Sequence, residues 1–289
     1  LSVITNIEAE HLDIYNNLED VKEAFIEFAN KVPFYGAVVL CLDDPNVRSI
    51  IPDIERRTTT YGLTPQAKIR AVDIDIDHFN SLFTVVKEGE KLGEINLQAP
   101  GEHNVKNALA AVAVGLELDI DFKDIKSGLE RFEGVFRRFQ LKTDKDDVIV
   151  IDDYAHHPTE VQATLNAARQ GWKDRRIVAV FQPHLYSRTQ ELYKEFGLSF
   201  FDAEVCVITD VYPSREEPIE GVTGKLIADV AKEYGHRKVH YVEDKNDLPV
   251  KLKEIVEPDD VVITMGAGDI YKYGEQFVEA LEAGISKLK

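Results

Sequence analysis

The chain is short of positive charge and nearly devoid of cysteine. Against 52 aspartates and glutamates stand 34 lysines and arginines, a formal net charge of -18 at pH 7. Such a surface disfavours nucleic acid or anionic membrane as a general partner. Any phosphate ligand must therefore be met by cations gathered locally or by a metal. The two cysteines, Cys41 and Cys206, each sit in a strand-like apolar run. They read as buried free thiols in a reducing cytoplasm rather than as a disulfide. No apolar stretch approaches the ~20 residues that a membrane helix needs. The first residues carry neither the basic region nor the apolar core of a secretory signal. A phosphate loop of the form GxxxxGK followed by Ser or Thr is also missing. The nearest string, Gly221-Val222-Thr223-Gly224-Lys225-Leu226, has the wrong spacing and lacks the hydroxyl. The chain opens directly on Leu1-Ser2-Val3-Ile4-Thr5, an apolar strand with no lead-in, which reads as a cut inside a fold.

What is present is enough for a large core. The 289 residues are 44% hydrophobic, room for two domains at ~100–200 residues each. In the first half, strands are expected at 2–5, 36–42, 58–61 and 68–75. A hairpin is expected from 83–87 and 92–97 around Glu88-Gly89-Glu90, and helices at 18–31 and 105–118. The pattern pauses near Glu133-Gly134-Val135-Phe136, where the domain boundary is placed, giving 1–136 and 137–289. Beyond it, strands at 148–151, 177–180, 204–209, 239–242 and 261–264 alternate with helices at 158–168, 190–200, 223–234, 248–256 and 271–281. That alternation predicts an α/β domain with a parallel sheet covered on both faces.

Two polar clusters follow two successive strands, which are expected to be neighbours in the sheet. Asp152-Asp153-Tyr154-Ala155-His156-His157-Pro158-Thr159-Glu160 comes first, and Phe181-Gln182-Pro183-His184-Leu185-Tyr186-Ser187-Arg188-Thr189 second. Open α/β sheets bind ligands at such strand ends. Asp153 is placed to hold ribose hydroxyls, and Tyr154 and His156 to orient a small polar substrate. Arg188 is suited to a carboxylate, gripped bidentately. The second cluster also reads as a solvated loop with Ser187 or Thr189 capping a helix. Asn104 and Asn107 share one face of a helix start and carry the amide donors and acceptors that read an adenine edge, unless Asn104 is simply a cap. His11 lies among carboxylates, a setting for a divalent cation. Arg137 and Arg138 offer guanidinium groups to a phosphate or to a boundary salt bridge. Gly266-Ala267-Gly268 reads as a tight strand-to-helix turn. Two further readings stay open: a metal-dependent hydrolase using Asp152, Asp153, His156 and His157, and a non-catalytic nucleotide-binding protein.

Together these motifs resemble the Mur ligases, the ATP-dependent ligases of peptidoglycan synthesis. The resemblance runs from Thr5-Asn6-Ile7-Glu8-Ala9-Glu10-His11-Leu12-Asp13 through Pro100-Gly101-Glu102-His103-Asn104-Val105-Lys106-Asn107 and Phe136-Arg137-Arg138-Phe139 to Thr264-Met265-Gly266-Ala267-Gly268-Asp269. It implies that residues 1–136 are the C-terminal portion of the central ATP-binding domain. Residues 137–289 are then a Rossmann-like, doubly wound parallel-sheet domain that binds the amino acid. The two polar clusters are similar to those of the alanine-adding branch, which uses ATP and Mg2+ to join L-alanine to the carboxylate of UDP-N-acetylmuramate in the cytoplasm. A recycling relative shares much of the histidine motif. By resemblance, His11 binds magnesium and acts with Arg138 on the ATP phosphates. Asn104 and Asn107, beside His103, contact adenine, and Asp153 contacts the ribose. Tyr154, His156, His184 and Arg188 bind L-alanine and the muramoyl end. Leu185 stands where many relatives have arginine, which argues against an amino-acid contact there. The family's UDP-gripping domain, phosphate loop and acidic magnesium ligand are not in these residues, so no ligase activity is expected from them alone.

Overall fold

The structure, a computed structural model, describes residues 1–9, 14–145 and 147–285. It divides into two compact units, Leu1–Glu133 and Gly134–Lys289.

The first unit is a mixed sheet with helices. Its elements are β1 (Ser2–Ile4), α1 (Leu18–Asn30), β2 (Val38–Cys41), α2 (Pro45–Ile50), β3 (Thr58–Gly62), β4 (Ile69–Asp77), β5 (Asn80–Lys87), β6 (Glu90–Leu97), α3 (Glu102–Glu117) and α4 (Phe122–Glu130). The strands lie in the order β1-β2-β3-β4-β5-β6. Neighbours are parallel as far as β4 and antiparallel from β4 to β6. The β5–β6 hairpin closes on Glu88 and Gly89, with φ of +49° and +94°. Positive φ at both central residues of a two-residue loop matches the right-handed twist of the strands. Helix α3 buries Val105, Ala108, Leu109, Val112 and Ala113, spaced three and four apart, against Phe83, Val85 and Ile95 of the sheet.

The second unit is a doubly wound α/β domain, as its strand–helix alternation predicts. It comprises β7 (Gln140–Lys145), β8 (Val148–Asp153), α5 (Pro158–Gly171), β9 (Arg176–Phe181), α6 (Tyr186–Gly197), β10 (Val205–Thr209), α7 (Gly224–Glu233), β11 (Val239–Val242), α8 (Leu248–Ile255), β12 (Asp260–Met265) and α9 (Ile270–Ile285). The order is β11-β10-β9-β12-β8-β7, parallel throughout except for the edge strand β7. β8, β10 and β12 are buried at every position, as strands covered on both faces must be. Val150, Val178, Val207 and Val262 pack with Leu248, Leu252, Ile270 and Phe277 of α8 and α9.

Three elements departed from the sequence pattern. β7 alternates polar residues along a sheet edge and carries no apolar run; α2 has six residues; α4 buries only Ile125. Helix α6 starts at Tyr186, one turn earlier than the pattern predicts. Both cysteines are free and buried. Among the described residues no helix is long and apolar enough to cross a membrane.

Candidate active site

The register of the second sheet determines which loops meet. β12 sits between β8 and β9, so the strands that precede the two polar clusters are not neighbours in the sheet, contrary to the expectation from their succession in the sequence. Met265 pairs with Asp153 on one side and with Phe181 on the other. Three strands therefore end at one level, and Tyr154, Gly266 and Gln182 leave over the same edge. The chain departs from β9 toward β10, but from β12 into α9, which packs toward β8 and β7. Neighbouring strands whose connections diverge leave a crevice at their carboxyl ends.

Asp152 and Asp153 are built into the walls of this edge. Asp152 is 1% exposed. Its carboxylate accepts from Arg137 Nε at 2.9 Å and from Thr264 Oγ1 at 2.8 Å. Arg137 also donates to the carbonyls of Gly266 at 2.6 Å and Gly268 at 3.2 Å, and its guanidinium lies over the rings of Tyr154 and Tyr271 at 5.1 and 4.6 Å. Burial raises the Asp152 pKa despite the guanidinium. Asp153 accepts one backbone N–H on each oxygen, from Ala155 at 2.7 Å and Phe139 at 2.8 Å. Burial pushes its pKa up to about 6, against those two hydrogen bonds and Arg138. Committed in this way, the two carboxylates do not form the metal set of the hydrolase reading. Among the described residues no group of three or more His, Cys, Asp or Glu side chains could hold a metal ion.

The aromatic residues form a chain across the edge. Tyr154 meets His156 at 5.1 Å between ring centroids, His156 meets His184 at 6.1 Å, and His184 stacks on Tyr212 at 5.7 Å and 12°. His156 Nδ1 donates to the Tyr154 carbonyl at 2.9 Å and lies 3.2 Å from Glu160. The Glu160 carboxylate also accepts the backbone N–H groups of His156 and His157 and pairs with Arg138 at 3.3 Å. Burial opposes its ionisation, yet these partners hold its pKa below the usual value. Glu160 thus does more than sit favourably in the first turn of α5.

His184 is half-buried, and its Nδ1 is buried without a hydrogen-bond partner. Burial, then His156 and Arg188, push its pKa down to about 4, so the ring is neutral at pH 7. Leu185, at the start of α6, has φ +72° and ψ +133°, a strained backbone for a residue with a Cβ. Its N–H donates to Tyr212 O at 3.0 Å, and its carbonyl accepts from Thr189 N and Oγ1 at 3.1 and 2.8 Å. Neither Ser187 nor Thr189 caps the helix: Ser187 donates to Glu216 and Thr189 bonds back to Leu185. Arg188 is half-buried, and among the described residues no hydrogen bond or ion pair occupies its guanidinium.

In the first unit, Asn104 and His103 are half-buried and Asn107 is exposed on the opening turns of α3. The helix is capped by Gly101 (φ +97°) without a side-chain bond. Asn104 Nδ2 instead donates to Pro100 O at 2.7 Å, which leaves its oxygen for a ligand. His11 lies outside the described residues. An apolar groove of about 520 Å3 lined by Val3, Ala110, Val114, Leu118 and Leu129 contains none of the candidate residues.

The sequence pattern named Arg137 only together with Arg138 and gave no sign of two other participants, Lys245 and Tyr212. Arg137 was indistinguishable from Arg138 in type, and only the fold shows that one is buried and the other half-exposed. Lys245, paired with Asp269 at 2.7 Å, and Tyr212 come from the loops after β11 and β10 and carry no local motif.

Comparison with known proteins accounts for both units. Residues 1–115 match the Mur ligase middle domain, and residues 137–268 match the domain described as Mur ligase, glutamate ligase domain. The chain belongs to the Mur ligase family. It is 56% identical over 282 residues to a UDP-N-acetylmuramate–L-alanine ligase of Salinibacter ruber, an alignment covering 98% of this chain and 59% of the relative. A ligase of the same name from Geotalea daltonii is 52% identical, with 97% and 61% covered. The crystal structure of a UDP-N-acetylmuramate–alanine ligase from Thermotoga maritima superposes with a TM-score of 0.77 at 29% identity, covering 98% of this chain and 59% of that one. The chain thus spans about three fifths of the length of these relatives.

Proposed function

We propose that the intact protein is a UDP-N-acetylmuramate–L-alanine ligase acting in the cytoplasm, and that Gly134–Lys289 supplies its amino-acid subsite. The supporting observation is the convergence of Tyr154, His156 and His184 beside the unoccupied guanidinium of Arg188. Relatives sharing about half the residues carry that name. In this reading the muramate carboxylate attacks the γ-phosphorus of ATP; the new O–P bond replaces the bond to ADP. The amine of L-alanine then attacks the acyl carbon, the C–N bond forms, and phosphate leaves with the acyl oxygen while the amine proton passes to solvent or base. Arg188 grips the alanine carboxylate, and neutral His184 with His156 faces an amine that must itself be neutral.

Within the first unit, Asn104 and Asn107, beside His103, are assigned to the adenine of ATP; within the second, Arg138 is assigned to a phosphate. The Arg138 side chain is 49% exposed, paired with Glu160 at 3.3 Å and set over the Tyr154 ring at 5.6 Å, and Glu160 is a partner it can exchange for a phosphate. Asp153 has both oxygens engaged, and a ribose contact would use their remaining lone pairs. Mg2+, assigned to His11, would offset charge on the phosphates. Nucleic acid and membrane have no role in this reading.

The test is formation of UDP-N-acetylmuramoyl-L-alanine by the intact protein, dependent on ATP and L-alanine. Arg188→Ala is expected to raise the KM for alanine by about 10–100-fold, the worth of a charge-assisted bidentate contact, with the KM for ATP little changed. Absence of alanine-dependent product, or an unmoved alanine KM, would defeat the assignment.

A further inference from the structure

Tyr212 is held from four directions. Its backbone bridges to the loop of His184, donating to Pro183 O at 2.8 Å and accepting from Leu185 N at 3.0 Å. Its ring lies nearly parallel to the His184 imidazole, 5.7 Å between centroids. Its other support is bare backbone: a Cβ on Gly268 would come within 2.6 Å of Tyr212 Cγ. The ammonium of Lys245 stands 5.4 Å from the ring centroid. Lys245 is fixed by Asp269 at 2.7 and 2.9 Å, and Asp269 accepts from Gln182 Nε2 at 3.0 Å. The loops that follow β9, β10, β11 and β12 therefore converge on this one ring.

We propose that Tyr212, backed by Lys245 and Gly268, is the positioning residue for His184: it fixes the plane in which the imidazole faces the amino-acid subsite. The importance of that plane rests on the proposed role of His184 in binding L-alanine. The chemistry favours a fixed plane. An imidazole offers its two nitrogens in its own plane, so a rotated ring would turn its acceptor away from an incoming amine. A stacked phenol blocks rotation about the last side-chain torsion, which is otherwise broad. Gly268 is required because any side chain there would press on Gln182 Oε1 and displace the phenol, and this close approach explains Gly268 better than a tight turn alone. The Tyr212 ring also shields one face of His184 from water. The charged and titratable groups facing His184 are His156 from the loop after β8, Arg188 from α6, and Arg215 and Glu216 from the segment after Tyr212.

Two measurements on Tyr212→Leu and Tyr212→Phe decide the matter. The first follows His184 by NMR of histidine-labelled 289-residue protein. The expected result is that His184 of the unsubstituted chain stays neutral down to about pH 5 and that Tyr212→Leu moves its midpoint up by about one unit toward the ordinary histidine value. Tyr212→Phe, which keeps the stack, restores the unsubstituted behaviour. The second measures KM and kcat in the intact protein. Tyr212→Leu raises the alanine KM about tenfold, leaves the ATP KM within about twofold, and is rescued by phenylalanine. If Tyr212→Leu leaves both the His184 titration and the alanine KM unchanged, the proposal is wrong, even if Arg188→Ala behaves as expected. If the unsubstituted intact protein shows no alanine dependence, the ligase reading fails, and the titration alone decides whether Tyr212 positions His184. Should Tyr212→Leu not fold, Lys245→Met, which removes the charge behind the ring together with its ion pair to Asp269, is expected to shift both readouts in the same direction by a smaller amount; no shift in either would overturn the proposal.

Discussion

His156 and His184 meet edge to face, 6.1 Å between ring centroids, although β12 separates the strands that deliver them. The meeting is a consequence of register. β8, β12 and β9 stop at the same level, and each loop turns toward the shared crevice because the strands themselves are buried on both faces and leave the chain nowhere else to place polar side chains. The two rings also divide their chemistry. His156 donates to a carbonyl and has Glu160 beside it; His184 has neither and is held neutral. A ligand approaching this pair meets one imidazole tied to a carbonyl and a carboxylate and one whose Nδ1 is left without a partner among the described residues.

The depressed pKa of His184 has a stability signature. Its folded value, about 4, lies below the ordinary histidine value of 6.5, so as pH falls the unfolded chain takes up the proton first. The ring's contribution is complete above about pH 6.5 and is lost as pH falls toward about 4. Asp153 acts in the opposite sense. Its folded value of about 6 exceeds 3.8, so the folded state is protonated first and gains stability between about pH 6 and 4. Comparing His184→Gln with the unsubstituted chain isolates the first effect. The expected result is a stability difference that is constant above about pH 7 and shifts in favour of the variant on acidification. Urea unfolding followed through Trp172, the single tryptophan and a member of the second unit, reads it. A difference flat from pH 7 to 4 would contradict the neutral-histidine assignment.

Adjacent arginines should behave as different residues. Arg137 is buried against Asp152, whereas Arg138 is half-exposed. Removing one partner of a buried ion pair strands the other charge, at about 3–5 kcal/mol, while an exposed pair is worth about 1 kcal/mol or less. Arg137→Met is therefore expected to lower the unfolding free energy of the second unit by several kcal/mol, and Arg138→Met by about 1 kcal/mol or less. Adding Asp152→Leu to Arg137→Met should recover part of the loss. Equal costs for the two single variants would remove Arg137 from its bracing role.

The same pair shows where the sequence was legible and where it was not. Strands such as Val148–Asp153 and Asp260–Met265 announce themselves because full burial demands unbroken apolar runs. The polar clusters after β8 and β9 stand out because nothing in a core needs them. Strand order is another matter: β12, last in the chain, inserts between β8 and β9, and no local pattern encodes a long-range crossover. Hence Asp152 and Asp153 read as ligand-binding carboxylates, when their first engagement is with Arg137, Thr264 and two backbone N–H groups. Tyr212 and Lys245 reach the edge from loops whose composition is ordinary, so only tertiary structure gives them a role.

Leu185 offers a backbone test. A residue at φ +72° and ψ +133° carries strain of about 1–3 kcal/mol unless it is glycine. Ordinarily alanine is the more stabilising of the two small residues because glycine has more conformational freedom to lose. Here the order should reverse, with Leu185→Gly more stable than Leu185→Ala by about 1 kcal/mol. Matched denaturation curves of the two variants measure it, and alanine proving equal or better would mean that the loop relaxes out of the strained geometry.

Asn104 and Asn107 separate a structural from a purely ligand-directed role on one helix face. Asn104 already donates to Pro100 O, tying the first turn of α3 to the segment before it, whereas Asn107 is exposed. Removing the Asn104 amide costs a hydrogen bond of about 1 kcal/mol in the fold as well as any contact to adenine. Asn107→Ala removes only the latter and replaces asparagine with a better helix former. The expected pattern is an ATP affinity in the intact protein lowered about 5–10-fold by either change, together with a melting temperature lowered by Asn104→Ala and unchanged or raised by Asn107→Ala. Nucleotide titration by calorimetry and a thermal scan on the same samples give both numbers. An Asn107→Ala protein that binds ATP as tightly as the unsubstituted one would take the adenine assignment away from this face of α3.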